Sequence, residues 1–491
     1  MNVKTGTNAG PLLWATALAF GLLVGCGGDD TKPSATGGPD NTGGAGGAGG
    51  TDGAGGTGGS GLPPEPPVDP TPWSGAYGDL AENDFSRRLK LDVDPTGNVA
   101  LIGMATGILD FGGGPFGSAT ASSGFLARFD VRGNHVWSRR LSTALPFGVA
   151  FDREGNMVVT GKLTGEEDFG GGPLVPADGT DLFIVKLDPE GGHLWSKAFG
   201  AGGSQQGTSV AVKDTGDIVI TGTVAGTIDL GGGPLESGTG GTLIAQLDAD
   251  GNHAWSRVLA DTPYPDGIAV DRTGGIVVAI GGAFPYRIVK LDPGGADVWS
   301  RDIAGAFGDT LSNRVSCDDD GNVLVTGHFG STLQIGSLTL EALSSAPLEP
   351  GTTDYDGFVA KLDASGTPLW ARRFGDGAAA RGIGVAAVGD EIALAGIFDV
   401  SMDLGGAAIV GRDCSTGFAS RLDAAGNALW SRPFANEGVS SCLNVQDMAM
   451  SGTSNLVMTG FFAGTADFGT GPTSRGDAWP GWTAFVAKLP Q

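Results

Sequence analysis

The side chains able to do acid–base or metal chemistry in this chain recur at fixed places in a repeat instead of gathering into one motif. His135, His193 and His253 each stand two residues before a tryptophan, and His328 closes an apolar run on its own. An imidazole becomes a useful acid or base when a second group fixes its tautomer and its distance to a substrate. A histidine repeated at one position reads first as part of the repeat. No nucleophile elbow, zinc-type spacing or phosphate-binding loop occurs in the sequence. Carboxylates brought together from separate repeats remain a catalytic possibility, because spacing along the chain does not reveal such a pair.

Aspartate supplies the other repeated chemistry. The run Asp-Phe/Leu-Gly-Gly-Gly-Pro begins at Asp110, Asp168 and Asp229, with a degenerate copy at Asp467 and a partial one at Asp403. Glycine permits positive φ and proline ends the turn, so the structural reading is a repeated hairpin tip. The functional reading is a rim of carboxylates for Ca²⁺ or a cationic partner. No copy has the alternating carboxylates of a calcium loop, so no metal and no cofactor is assigned. Among four cysteines, Cys414 and Cys442 fall in loops of one face in successive repeats, and a Cys414–Cys442 disulfide is expected outside the cytoplasm. Cys317 lies where other repeats carry small apolar residues and reads as buried and free.

The elements that position these residues follow from tryptophan spacing. Trp73, Trp137, Trp195, Trp255, Trp299, Trp370 and Trp430 recur at gaps of 64, 58, 60, 44, 71 and 60 residues. Each period holds four short runs rich in Val, Ile and Phe, bounded by Gly or Asp turns, and helical periodicity is absent. The expectation is an all-β chain, a seven-bladed β-propeller of four-stranded blades over 73–491. By resemblance to related propellers, the strand ending in V-A-V-D is expected innermost and the strand opening with Trp outermost. The last repeat ends at Phe485–Leu489 without a tryptophan strand, so the Trp73 strand is expected to complete that blade and remove a free edge.

The wording of the repeat carries a resemblance. Val210–Gly222 with Leu243–Trp255, and Phe358–Trp370, resemble the seven-bladed propeller repeats known as SBBP repeats, over about 73–489. The Leu-Asp-x-x-Gly-x-x-x-Trp frame is similar to the docking motif of PQQ-like propellers. That resemblance implies that each tryptophan packs between neighbouring blades.

Loop lengths make one sector uneven. The loop ending Gly281–Tyr286 is short, and the next repeat carries the long loop 329–357. A notch is expected there, with Tyr264, Phe284, Tyr286 and Tyr355 around it. Trp479 and Trp482 stand on the same face in the last repeat, and the repeated histidines on the turn opposite. Tyr and Trp are common anchors for sugars and peptides, so these six are the ligand-binding candidates.

Composition sets the address. Acids outnumber bases 54 to 29, for a net charge of −25. That balance argues against a nucleic-acid partner. Residues 1–25 read as a lipoprotein signal peptide: a short apolar run ends in Leu23-Val24-Gly25-Cys26, which resembles a lipobox with Cys26 lipidated. Residues 26–72 are Gly- and then Pro-rich and read as a disordered tether of roughly 35–40 Å root-mean-square reach. The expectation is a monomeric head held by its N-terminal lipid at a cell-envelope membrane, most simply the outer membrane. Its expected role is to bind or scaffold a protein or glycan partner on the loop face. Two other readings stay open: a glycan or peptide hydrolase or lyase using cross-blade carboxylates, and an outer-membrane assembly scaffold.

Overall fold

The computed structural model describes residues 71–80, 88–177, 179–260, 262, 265–281, 286–307, 315–343, 355–376, 378–411, 415–434, 442–451, 455–474 and 482–490. All belong to the unit Pro63–Gln491. The signal peptide, Cys26 and the tether to residue 70 lie outside them. Among the described residues every regular element is a strand.

Antiparallel pairing joins the described strands into sheets of eight, four, five, nine and four strands and three two-stranded ones, within which the strands run as successive four-stranded meanders, each taken here as a blade. The inner strands are Arg88–Val93, Ala144–Phe151, Gly203–Val212, Pro265–Val270, Val315–Cys317, Ala380–Val388 and Leu443–Ser451. Each inner strand contacts the next, and the seventh contacts the first, so the sheets close into a ring. The seventh blade is completed by the first described strand: Trp73 pairs with Lys488, Ser74 with Ala487 and Gly75 with Val486. The expected closure is the one observed.

Both faces of each blade are covered by its neighbours, which is why the third strands are apolar without alternation. Leu182–Leu187 is buried throughout, with Phe183 and Val185 packed towards the first blade and Leu182 and Ile184 towards the third. The Thr-Gly pair within the second strand has a reason of its own. Buried Thr160 donates to the Phe183 carbonyl at 2.8 Å. A side chain at Gly161 would begin 2.1 Å from the Leu145 carbonyl oxygen and 2.8 Å from the Phe183 ring. Only a bare backbone lets the inner strand approach that closely.

Candidate functional site

The tryptophan frame forms a clasp between successive blades. Trp137 lies on Gly191 of the next blade, close enough that a Cβ there would fall 2.9 Å from the indole. Its Nε1 donates to the Pro189 carbonyl at 3.0 Å, and Arg139, two residues on, donates to the Gly191 carbonyl at 3.0 Å. The pattern returns with Trp299, which donates to Ala364 while Arg301 donates to Gly366, and with Trp370, which donates to Ala424 while Arg372 donates to Gly426. The basic residue of this clasp was not singled out from the sequence. Its signal was the recurrence of Trp-x-Arg/Lys.

On the side where inner strands turn into second strands, the first, second, fourth and fifth blades carry a charged clip. Asp94 meets Arg128 at 3.0 Å, Asp152 meets Lys186 at 2.9 Å and Asp318 meets Lys361 at 2.8 Å. Burial pushes Asp152 and Asp318 up, yet hydrogen bonds from the lysine and a turn asparagine outweigh it and hold both below the usual carboxylate range. The third blade exchanges the residue types: Lys213 stands in the aspartate position and donates to Gln246 Oε1 at 2.7 Å and to the Pro293 carbonyl at 3.0 Å. With that carbonyl engaged, the Trp255 indole donates to Gln246 instead.

The five carboxylates Asp110, Asp168, Asp229, Asp403 and Asp467 are exposed, and each accepts two backbone N–H groups of its own glycine run. For Asp168 these are Gly170 at 2.7 Å and Gly172 at 3.0 Å. The residue after each aspartate, Phe111, Phe169, Leu230, Leu404 or Phe468, is buried in a blade core. The tips therefore fold back. Gly113, Gly171 and Gly232 sit against His135, His193 and His253, whose Nε2 atoms hydrogen-bond Ser138, Ser196 and Ser256. This corrects the expectation that these loops stand on the face away from the histidines. Burial of the Phe or Leu bends the hairpin back across the blade.

The aromatic candidates do not gather into one site. Tyr286 is 2 % exposed and belongs to the core between the fourth and fifth blades, because it opens a buried strand, Tyr286–Leu291. It is therefore not a loop anchor. Trp482 opens the strand Trp482–Lys488 and packs half-buried against the core holding Tyr77 and Phe461. The Tyr355 ring lies tilted 4.7 Å from His328 and 4.6 Å beneath the Arg381 guanidinium, which also hydrogen-bonds its hydroxyl. Tyr264, Phe284 and Trp479 lie outside the described residues. Cys442 is disulfide-bonded, and its expected partner Cys414 lies outside the described residues. Cys317 is a free thiol that burial pushes up to about 12.

The structure instead brings functional groups together in the central channel. At the end where the inner strands begin, a cavity of about 210 Å³ is lined by Arg88, Lys90, Phe147, Gln206, Thr208 and Asp266 among others, from four inner strands. The Arg88 guanidinium stands 5.3 Å from the Phe147 ring centre. Lower in the channel, Asp447 accepts from Leu91 N at 3.1 Å and Asp92 accepts from Phe151 N at 2.8 Å, each carboxyl crossing to the next inner strand. Burial, reinforced by Asp447 and Asp94, pushes Asp92 up to about 7 despite that backbone bond. Burial also pushes Asp447 up against the pull of Lys90. The opposite end opens into an acidic cavity of about 280 Å³ lined by Asp92, Asp94, Asp152 and Asp214. Sequence reasoning missed this channel. Its trace was a polar alternation, Arg88-Leu89-Lys90-Leu91-Asp92, in a strand where other repeats carry Val or Ala.

A closed ring of antiparallel four-stranded meanders, with the first described strand paired to the last, defines a β-propeller. No family model matches the chain. It is 21% identical over 238 residues to an uncharacterized WD repeat-containing protein of Acanthamoeba polyphaga mimivirus; the match covers 45% of this chain and spans 14% of that relative's length. Among solved structures it is similar to the WD40 domain of Neurospora crassa Pan2, at 11% identity and a TM-score of 0.43, covering 85% of this chain and 96% of that one. It is also similar to the Dos1 propeller, at 12% identity and a TM-score of 0.44, covering 85% and 95%.

Proposed function

We propose that this chain is a lipid-anchored propeller of SBBP-type repeats that serves the cell envelope as a non-enzymatic binding module. The observation that carries the reading is the channel-mouth cavity of about 210 Å³, where charged, amide, hydroxyl and aromatic side chains from four blades converge. A mouth built from several rigid strands holds such groups at fixed separations, which favours recognition of a small polar unit. The lipobox ending at Cys26 and the glycine-rich stretch after it support a head tethered to a membrane. Two measurements test this. Cys26→Ser abolishes palmitate incorporation and releases the protein from the membrane fraction. The full chain in detergent gains melting temperature with envelope glycans or peptidoglycan fragments, and Phe147→Ala removes the gain. Silence towards every glycan removes the binding reading.

A hydrolase or lyase reading is favoured by one observation, the carboxyls Asp92 and Asp447 held towards their neutral forms in the channel. It requires product release from the same glycans, lost in Asp92→Asn.

A further inference from the structure

Most cations enclosed by this protein are matched to carboxylates, and Lys213, which is not, has Gln246 and the Pro293 carbonyl instead. Arg128 has Asp94, Lys186 has Asp152, Lys361 has Asp318 and Arg373 has Asp356, all within 3.1 Å. With 54 acids to 29 bases, partners are plentiful. Arg88 departs from this rule. It is half-buried, among the described residues no ion pair joins it to a carboxylate, and its guanidinium stands 5.3 Å from the Phe147 ring centre. Lys90 stands beneath it with an enclosed Nζ that has no hydrogen-bond acceptor, and Asp447 is 3.9 Å away. An ammonium group taken from water without an acceptor is costly, and an oxyanion entering between Arg88 and Lys90 removes that cost.

The rest of the cavity selects among anions. Gln206, Thr208 and Thr223 offer amide and hydroxyl groups, while Phe147 and Pro146 form an apolar wall. Hydroxyls facing the first set and ring C–H groups facing the second describe one sugar ring. Asp266, on the fourth inner strand and 5 % exposed, lies across the ring from Arg88 on the first. It accepts from a sugar hydroxyl and repels a second negative charge, which favours a singly charged carboxylate over a phosphate dianion. A guanidinium fork matches a carboxylate with two parallel hydrogen bonds.

We infer that the channel mouth holds a carboxylated sugar unit, a uronic-acid residue of a glycan, with Arg88 taking its carboxylate and Gln206 and Thr208 its hydroxyls. The inference rests on the mouth being the binding surface and names what that surface selects.

The test uses the full chain in detergent, with methyl glucuronide and methyl glucoside as probes in calorimetry. The glucuronide binds, the glucoside binds about tenfold more weakly or worse, and Arg88→Gln erases the difference. Thr208→Val weakens both sugars, and rising salt weakens the glucuronide alone. If Arg88→Gln fails to fold, Arg88→Lys serves, since it keeps the charge and loses the fork. Equal binding of both sugars, or a glucuronide affinity untouched by Arg88 substitution, overturns the inference and leaves the mouth as a sugar site. Binding of alanine in place of either sugar overturns it in favour of a zwitterion site. Binding of neither sugar overturns it too, and the broader reading then stands or falls on the glycan and peptidoglycan screen.

Discussion

Trp73 and Lys488 are register partners, so the first described strand and the last hydrogen-bond within one blade. The indole of Trp73 reaches further, lying on Gly133 and donating to the Val131 carbonyl at 3.1 Å in the first blade. One short strand thus closes the seventh sheet and clasps it to the first. Deleting residues 73–78 exposes the edge of Trp482–Lys488 and removes Trp73 and Tyr77 from the core. We expect a loss of at least about 3 kcal/mol, the scale of deleting one large buried aromatic. A circular-dichroism melt should fall by roughly 3 °C or more. An unchanged melt would mean that the ring holds without its closing strand.

The exchange of residue types in the third blade predicts a coupling. Lys213 and Gln246 replace an aspartate–lysine pair, and the Trp255 hydrogen bond moves with them. Lys213→Ala leaves the Pro293 carbonyl without its donor and Gln246 Oε1 with the Trp255 indole alone, and should cost about 1–3 kcal/mol. Lys213→Asp alone should cost as much. Lys213→Asp combined with Gln246→Lys restores the arrangement of the other blades and should recover about half of that loss or more. A urea-denaturation double-mutant cycle gives the answer, and strictly additive losses would show that the two positions do not act as a unit.

How much of this was legible depended on whether a feature is local to the repeat. The Leu-Asp-x-x-Gly-x-x-x-Trp frame records both halves of the clasp, because the glycine receives the preceding blade's indole and the tryptophan is passed on to the next. The closure followed from repeat phase alone. The Asp168 hairpin was misplaced because its direction is set by where Phe169 finds a core, stacked 5.2 Å from Phe183, which no turn residue encodes. Tyr286 was taken for a loop residue because the fourth blade's shortened hairpin begins its third strand one residue after proline. Arg88, Phe147, Gln206 and Asp266 were invisible as a site because each looks unremarkable within its own repeat. They meet only when four inner strands line one channel.

Asp92 gives the fold a pH dependence of definite sign. Its folded-state value is raised to about 7, so between the ordinary carboxylate range and neutrality the native protein holds a proton that the unfolded chain has lost. Asp92 therefore contributes most stability below that window, and the contribution is lost as pH rises through about 7. Asp447 shifts in the same direction. Asp152, Asp271 and Asp318 shift the other way, so they lose stability as pH falls through the acid range. The melting temperature should rise from acid pH and then decline towards pH 8. Asp92→Asn keeps an acceptor for Phe151 N, and should flatten the decline and add about 1 kcal/mol at pH 8 after allowance for solvent in the channel. A parallel curve for the variant would remove Asp92 as its cause.

The folded-back hairpin is tested at Gly171. A Cβ placed there would lie 2.0 Å from Cε1 of His193, a ring already held by Ser196 at 3.0 Å. Were the hairpin a free rim, Gly171→Ala would be close to neutral on an exposed turn. With the tip seated on the imidazole, the methyl must displace either the ring or the turn, and the cost should be about 1–3 kcal/mol. His193→Ala opens the space, so Gly171→Ala should cost much less in that background. The difference, read from urea midpoints in a double-mutant cycle, isolates the contact from any change in backbone freedom, because the glycine-to-alanine step is common to both backgrounds. A Gly171→Ala cost that is the same with and without His193 would place the hairpin away from the imidazole and restore it as a projecting rim.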